Sequence, residues 1–161
     1  MPDLFHLPDA AATESVGSAL APALAGGMVV TLHGDLGVGK TTLARGVLRA
    51  MGWTGAVKSP TYTLVEHYPF SSLYFYHFDF YRFADPSEWE IAGIADYFRD
   101  DAVCLVEWPE RVAGLLPAAD LEIALRYPVS GAFGRDLGLA ANSAEGERCL
   151  YAVTRALLPM P

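Results

Sequence analysis

An α/β fold with a largely parallel sheet is what this 161-residue sequence predicts, and three observations carry that reading. Strand-like and helix-like segments alternate along the chain, the pattern that builds helices around a sheet. Ala102 to Val106 is an unbroken apolar run of strand length, as expected of a central strand covered on both faces. A short apolar run, residues 28–33, leads directly into a glycine-rich loop that opens an amphipathic helix. With roughly 100–200 residues per domain, the length fits one domain over residues 1–161.

The elements follow in order. A helix is expected over about Ala11 to Leu24, with Val16, Leu20 and Leu24 on one face. Gly26-Gly27 turns the chain into the strand Met28 to His33. A second helix opens near Gly39, buries Leu43, Val47 and Leu48, and stops at Gly52. Aromatic and β-branched runs predict strands over Tyr62 to Tyr68 and Leu73 to Asp79. Pro86 to Phe98 reads as a short acidic helix, and the central strand Ala102 to Val106 follows it. Leu121 to Leu125 alternates with period two, which predicts an outer strand, and Leu137 to Ala140 is its candidate hairpin partner. A last helix, started by Asn142 and Glu145, packs Leu150, Val153 and Leu157.

Nineteen acids against eleven bases leave a net charge of −8, which argues against direct binding to a phosphate backbone. The imbalance is local. Residues 1–60 balance four acids with four bases, whereas residues 61–161 carry fifteen acids and seven bases. Cys104 and Cys149 match no zinc or redox spacing and read as reduced, partly buried thiols of a cytoplasmic protein. The N-terminus lacks the basic start of a signal peptide. The uncharged stretch from Ser15 to Gly34 is broken by Pro22 and Gly26-Gly27, and reads as buried helix plus buried strand rather than a membrane span.

Gly34-Asp35-Leu36-Gly37-Val38-Gly39-Lys40-Thr41 matches the phosphate-binding P-loop without gaps, between a strand and a helix. Its three glycines let Asp35, Leu36, Gly37, Val38 and Gly39 wrap their backbone N–H groups inward around phosphate oxygens. Lys40 would reach the terminal phosphates, and Thr41 and Thr42 stand at the helix start, where the dipole favours anions. Thr41 would offer its hydroxyl to Mg²⁺. Only two of the eleven basic residues are lysines, Lys40 and Lys58, so lysine is kept where a compact point charge is wanted.

Ligands of parallel sheets sit at the carboxyl ends of strands. Asp79 and Glu107 end two such strands, and either one fits the metal or the attacking water. Ser59-Pro60-Thr61 reads on spacing alone as a Ser-Pro turn, although its hydroxyls lie where switch loops often sit. His77 reads as a core histidine, and Trp108 divides evenly between core and function. The stretch Asp85 to Asp101, with six acids and one arginine, is a solvated face or a docking surface.

Several segments together resemble the TsaE (YjeE) family, the small bacterial ATPases of tRNA threonylcarbamoyladenosine synthesis. They are Gly34 to Gly46, Lys58 to Glu66, His77 to Pro86, Gly93-Ile94 with Asp96-Tyr97-Phe98, and Cys104 to Glu110. The resemblance runs from about Leu7 to Pro117, with Val38 standing where alanine is commoner. It implies a P-loop NTPase-like three-layer α/β/α sandwich with a mixed, largely parallel sheet of about seven strands. It also implies that residues 35–42 hold ATP, that Thr41 and Glu107 ligate Mg²⁺, and that Asp79 takes the Walker B and Thr61 the switch position. Thr13 and Arg135 match positions holding the base and outer phosphates. The implied function is ATP hydrolysis that sustains turnover of a TsaB–TsaD transferase complex, with tRNA met only through that complex.

The same cradle also serves small-molecule and nucleoside kinases, which need a second pocket and a lid of clustered arginines. The nine arginines here form no such cluster, and residues 85–101 are acidic. A GTPase switch is excluded, since neither lysine sits in an Asn-Lys-x-Asp motif. No arginine adjoins the P-loop or switch motifs in sequence, and Arg82 is expected to turn away, so slow unaided hydrolysis is expected.

Overall fold

The computed structural model describes residues 3–158. The apolar run at 102–107 forms β5 (Ala102–Glu107), buried at every position, and the strand before the glycine loop is β2 (Val29–His33). Five further strands are β1 (Asp3–Leu7), β3 (Val65–Pro69), β4 (Tyr74–Asp79), β6 (Leu121–Arg126) and β7 (Arg135–Ala141). They form one sheet in the order β1-β7-β6-β2-β5-β4-β3. Its four middle strands, β6, β2, β5 and β4, run parallel, while β7, β1 and β3 add antiparallel edges. The sheet is therefore mixed, with the parallel part at its centre.

Side-chain alternation divides the core into two layers. Val30, Leu32, Phe75, Val103 and Leu105 face α1 (Ala10–Leu20), α2 (Lys40–Ala50) and α4 (Ala144–Leu157). Val29, Tyr76, Phe78, Cys104 and Val106 face the other way, onto Trp89 of the short α3 (Ser87–Ile91) and Ile94 beyond it. The acidic helix expected over Pro86 to Phe98 is thus two pieces. Gly93 adopts a left-handed φ of 65° and separates α3 from a 3₁₀ turn over Ile94–Tyr97.

Other expectations need correction. The first helix ends at Leu20 and tightens to a 3₁₀ turn over Ala21–Ala23, because Pro22 lacks the N–H an α-helix requires. The last helix is capped by Ser143, whose hydroxyl accepts from Gly146 N–H at 3.0 Å. Asn142 instead donates to the Ala119 carbonyl and to Glu122. Strand β6 is not an outer strand but lies between β7 and β2, parallel to β2. Its alternation reflects half-exposed Glu122 on the face that lacks a helix there. Strand β1 has no signature in the sequence; pairing with β7 creates it. No helix among the described residues is long and apolar enough to cross a membrane.

Candidate active site

The loop after β2 can form only with glycine at its ends. Gly34 has φ of 153°, and a Cβ there would fall 2.7 Å from the Leu125 carbonyl oxygen. Gly39 caps α2 at φ of 119°, with no side chain bonded to the helix start and no acid in the first turn. An uncapped helix N-terminus free of negative charge suits an anion.

Lys40, the first residue of α2, is only 5% exposed. Its Nζ donates to the Gly34 carbonyl at 2.5 Å, lies 3.4 Å from Glu107 Oε1, and sits 4.6 Å from the centre of the Trp108 ring. Trp108 holds a left-handed φ of 55°, a strained conformation for a bulky residue, where β5 turns into a 3₁₀ segment.

Strands β4 and β5 run parallel with Asp79 directly opposite Glu107, so two buried carboxylates end adjacent strands. Glu107 Oε2 bonds His77 Nε2 at 2.6 Å. Burial alone would raise the Glu107 pKa, but the His77 hydrogen bond and the charges of His77 and Lys40 outweigh it and hold the carboxyl below its usual range. Since an ionised carboxylate only accepts, His77 Nε2 carries the proton. Asp79 Oδ1 accepts from Tyr81 N–H at 2.8 Å, and Oδ2 accepts from the Thr61 hydroxyl at 3.0 Å. Thr61 is within reach because residues 61–63 form a turn and β3 starts only at Val65, three residues later than the sequence suggests. Ser59 Oγ lies 2.8 Å from the Thr61 hydroxyl.

These groups line a cleft of about 270 Å³, with Leu36, Gly37, Gly39, Lys40, Thr41 and Thr42 on one side and Ser59, Thr61, Asp79 and Glu107 on the other. A second cleft, of about 290 Å³, shares Gly37, Gly39 and Thr42 and extends to Thr13, Val38, Phe133 and Arg135. Asp35 lines neither cleft, and its carbonyl accepts the Val38 N–H at 3.2 Å. Arg135 is folded onto the P-loop: Nε donates to the Val38 carbonyl at 2.7 Å, and the guanidinium lies 4.4 Å from the Tyr127 ring centre. Arg82 rests on Tyr62, 4.3 Å from its ring centre.

Two contacts of the site are not legible in the sequence. His77 is a core histidine, as read, but its hydrogen bond goes to Glu107. Arg135, which the resemblance places at the nucleotide's outer phosphates, bonds the Val38 carbonyl from 97 residues away, a contact that no local pattern reveals.

The fold and this loop define an α/β protein of the P-loop NTPase-like class. The family model for "Threonylcarbamoyl adenosine biosynthesis protein TsaE" matches residues 7–132. Relatives named tRNA threonylcarbamoyladenosine biosynthesis protein TsaE include one from Haemophilus influenzae, 55% identical over 100 residues, covering 62% of this chain and 63% of that protein. One from Bacillus subtilis is 43% identical over 62% of each chain, and one from Nostoc is 32% identical over 79% of this chain and 80% of that protein. The chain thus spans less than two thirds of the length of the Haemophilus and Bacillus relatives. The crystal structure of Bacillus subtilis YdiB superposes with a TM-score of 0.78 at 28% identity, covering 95% of this chain and 94% of that one. The chain belongs to the TsaE family of threonylcarbamoyl adenosine biosynthesis proteins.

Proposed function

We propose that this protein is a cytoplasmic, Mg²⁺-dependent ATPase that serves tRNA threonylcarbamoyladenosine modification by acting on a TsaB–TsaD complex. One observation carries the ATPase reading: Lys40, Thr41, Thr61, Asp79 and Glu107, drawn from four separate segments, converge on one cleft at the carboxyl ends of parallel strands. The donor set fits the nucleotide and its metal. An uncapped helix start and a lysine suit phosphates, and the Thr41 hydroxyl and buried Glu107 carboxylate that line the same cleft suit a hard cation. Among the described residues no group of three or more His, Cys, Asp and Glu side chains could hold a metal by itself, so phosphate oxygens would complete the coordination. Bound Mg²⁺ would neutralise charge developing on the phosphate oxygens.

The protein's own groups divide the remaining work. Lys40 would exchange its Gly34 carbonyl and Glu107 contacts for the outer phosphates. Thr41 and Glu107 would hold the metal. Thr61 donates a hydrogen bond from its hydroxyl to Asp79, which fixes Thr61, and the oxygen lone pairs left over would orient a water. Thr13, Leu36, Gly37, Val38, Gly39 and Thr42 would enclose the rest of the nucleotide, with Arg135 at its edge.

Neither Arg82 nor Arg135 lines the cleft of Lys40, so unaided hydrolysis should be slow. Phosphate release measured alone and with purified TsaB–TsaD at two salt concentrations tests this reading. Slow release alone and marked stimulation by the complex, weaker at high salt, are expected. Fast release that ignores the complex, or a phosphorylated product other than phosphate, would overturn it.

A further inference from the structure

We propose that His77 is the positioning residue of Glu107, the fixed pivot that lets its carboxylate exchange Lys40 for Mg²⁺ without turning. This rests on the reading of Glu107 as a metal ligand, and the experiment below separates the two.

The two oxygens of Glu107 have different partners. Oε2 bonds His77 at 2.6 Å, whereas Oε1 is 3.4 Å from Lys40 Nζ. His77 stands on β4 opposite Leu105, two residues before Asp79, and so approaches Glu107 from inside the sheet. Lys40 approaches from the P-loop and is the partner that must leave for the phosphates. Glu107 is 3% exposed, so a carboxylate that lost Lys40 with no other partner would be a buried, unpaired charge. The bond to His77 holds one oxygen in place while the other is passed from an ammonium to a metal ion.

A space-filling role explains His77 poorly. The side chain is fully buried, and its Nδ1 has no hydrogen-bond partner among the described residues. An apolar residue would fill the same strand position without burying a polar ring that is only half satisfied. What the imidazole adds is its single bond to Glu107.

Two amide variants give the test, because they differ in reach rather than polarity. The Nε2 amide of His77→Gln extends about as far as imidazole Nε2, and the shorter amide of His77→Asn does not reach Glu107. ATP affinity of the whole protein is measured by calorimetry, once in Mg²⁺ and once in EDTA, with thermal melting to verify folding. In EDTA both variants should bind within about twofold of wild type. In Mg²⁺, His77→Asn should lose about tenfold or more of the affinity gained from the metal, the range for partners that orient metal ligands. His77→Gln should retain most of that gain.

Full Mg²⁺ gain in folded His77→Asn would overturn the proposal, as would a folded His77→Gln chain that has lost it. An equal loss in EDTA and in Mg²⁺ would make His77 a support of the fold, and also overturn it. If wild type itself gains nothing from Mg²⁺, the fault lies in the metal-site reading instead.

Discussion

The two clefts beside the P-loop share Gly37, Gly39 and Thr42 yet are built on opposite plans. In the cleft of Lys40, the charged groups are 3–5% exposed and each already has a partner: Lys40 and Glu107 one another, Asp79 the Thr61 hydroxyl. The cleft of Thr13 and Arg135 holds one cation, which is only half-buried, and its rim carries Phe133 at 95% exposure. The first holds its two carboxylates in place through His77, Thr61 and the Tyr81 N–H, and leaves Lys40 as the charge that moves in the proposed reaction. The second can adapt its rim to a bound molecule. Buried charges are costly wherever they lack partners, and among the described residues the buried Lys40, Asp79 and Glu107 all lie where the proposed chemistry occurs.

If that contrast is right, the largest losses belong to the buried cleft. Lys40→Ala removes a charged contact worth about 1.5–3 kcal/mol, so ATP affinity or turnover should fall about tenfold or more. Equilibrium binding and phosphate release both report it, and unchanged values in a folded variant would remove the site from this cleft.

Next come the paired carboxylates. Glu107→Gln should raise the Mg²⁺ concentration needed for half-maximal hydrolysis, whereas Asp79→Asn should lower turnover with little change in that concentration. A magnesium titration of both variants distinguishes them, and the reverse pattern would exchange their roles.

The cleft of Arg135 should respond more weakly. Arg135→Ala removes two bonds to backbone carbonyls, of which only the one to Val38 braces the P-loop, a bond worth about 0.5–1.5 kcal/mol. A drop of about twofold to tenfold in ATP affinity is expected, equal with and without Mg²⁺. A loss seen only in Mg²⁺ would tie Arg135 to the metal and blur the division between the clefts.

The smallest effect lies outside both clefts. Burial pushes the Cys104 thiol up to about 12 from an ordinary 9.0, and Cys149 to about 11. The folded protein keeps these protons while the unfolded chain begins to lose them near pH 9. That contribution to stability is full below pH 9 and is lost as pH rises toward 12. Melting temperature should therefore fall over this range, and less steeply in Cys104→Ala. An identical slope in the variant would mean that other groups, such as Tyr68 and Tyr76, dominate.

What the sequence makes legible is what lies contiguous in it. The P-loop is one unbroken motif, and Asp79 and Glu107 are recognisable as the last residues of apolar strands. The central strand is visible because burial on both faces leaves a purely apolar run. Long-range pairing is not written locally. The contact of His77 with Glu107 depends on the register of β4 against β5, and β1 exists only through β7. The position of β6 within the sheet is hidden because its half-exposed face produces the same alternation as an edge strand. Thr61 meets Asp79 only because the chain turns before β3, and the positive φ of 70° at Leu64 that shapes this turn has no marker such as glycine.

A crystal structure with a non-hydrolysable ATP analogue and Mg²⁺ tests the central claim most directly. The account predicts phosphates along the P-loop, the metal on Thr41 and Glu107, and Lys40 Nζ moved from the Gly34 carbonyl to the outer phosphates. His77 should still hold Glu107 Oε2. Phosphates bound outside the buried cleft, or Lys40 still seated on Gly34 beside an ordered nucleotide, would contradict it.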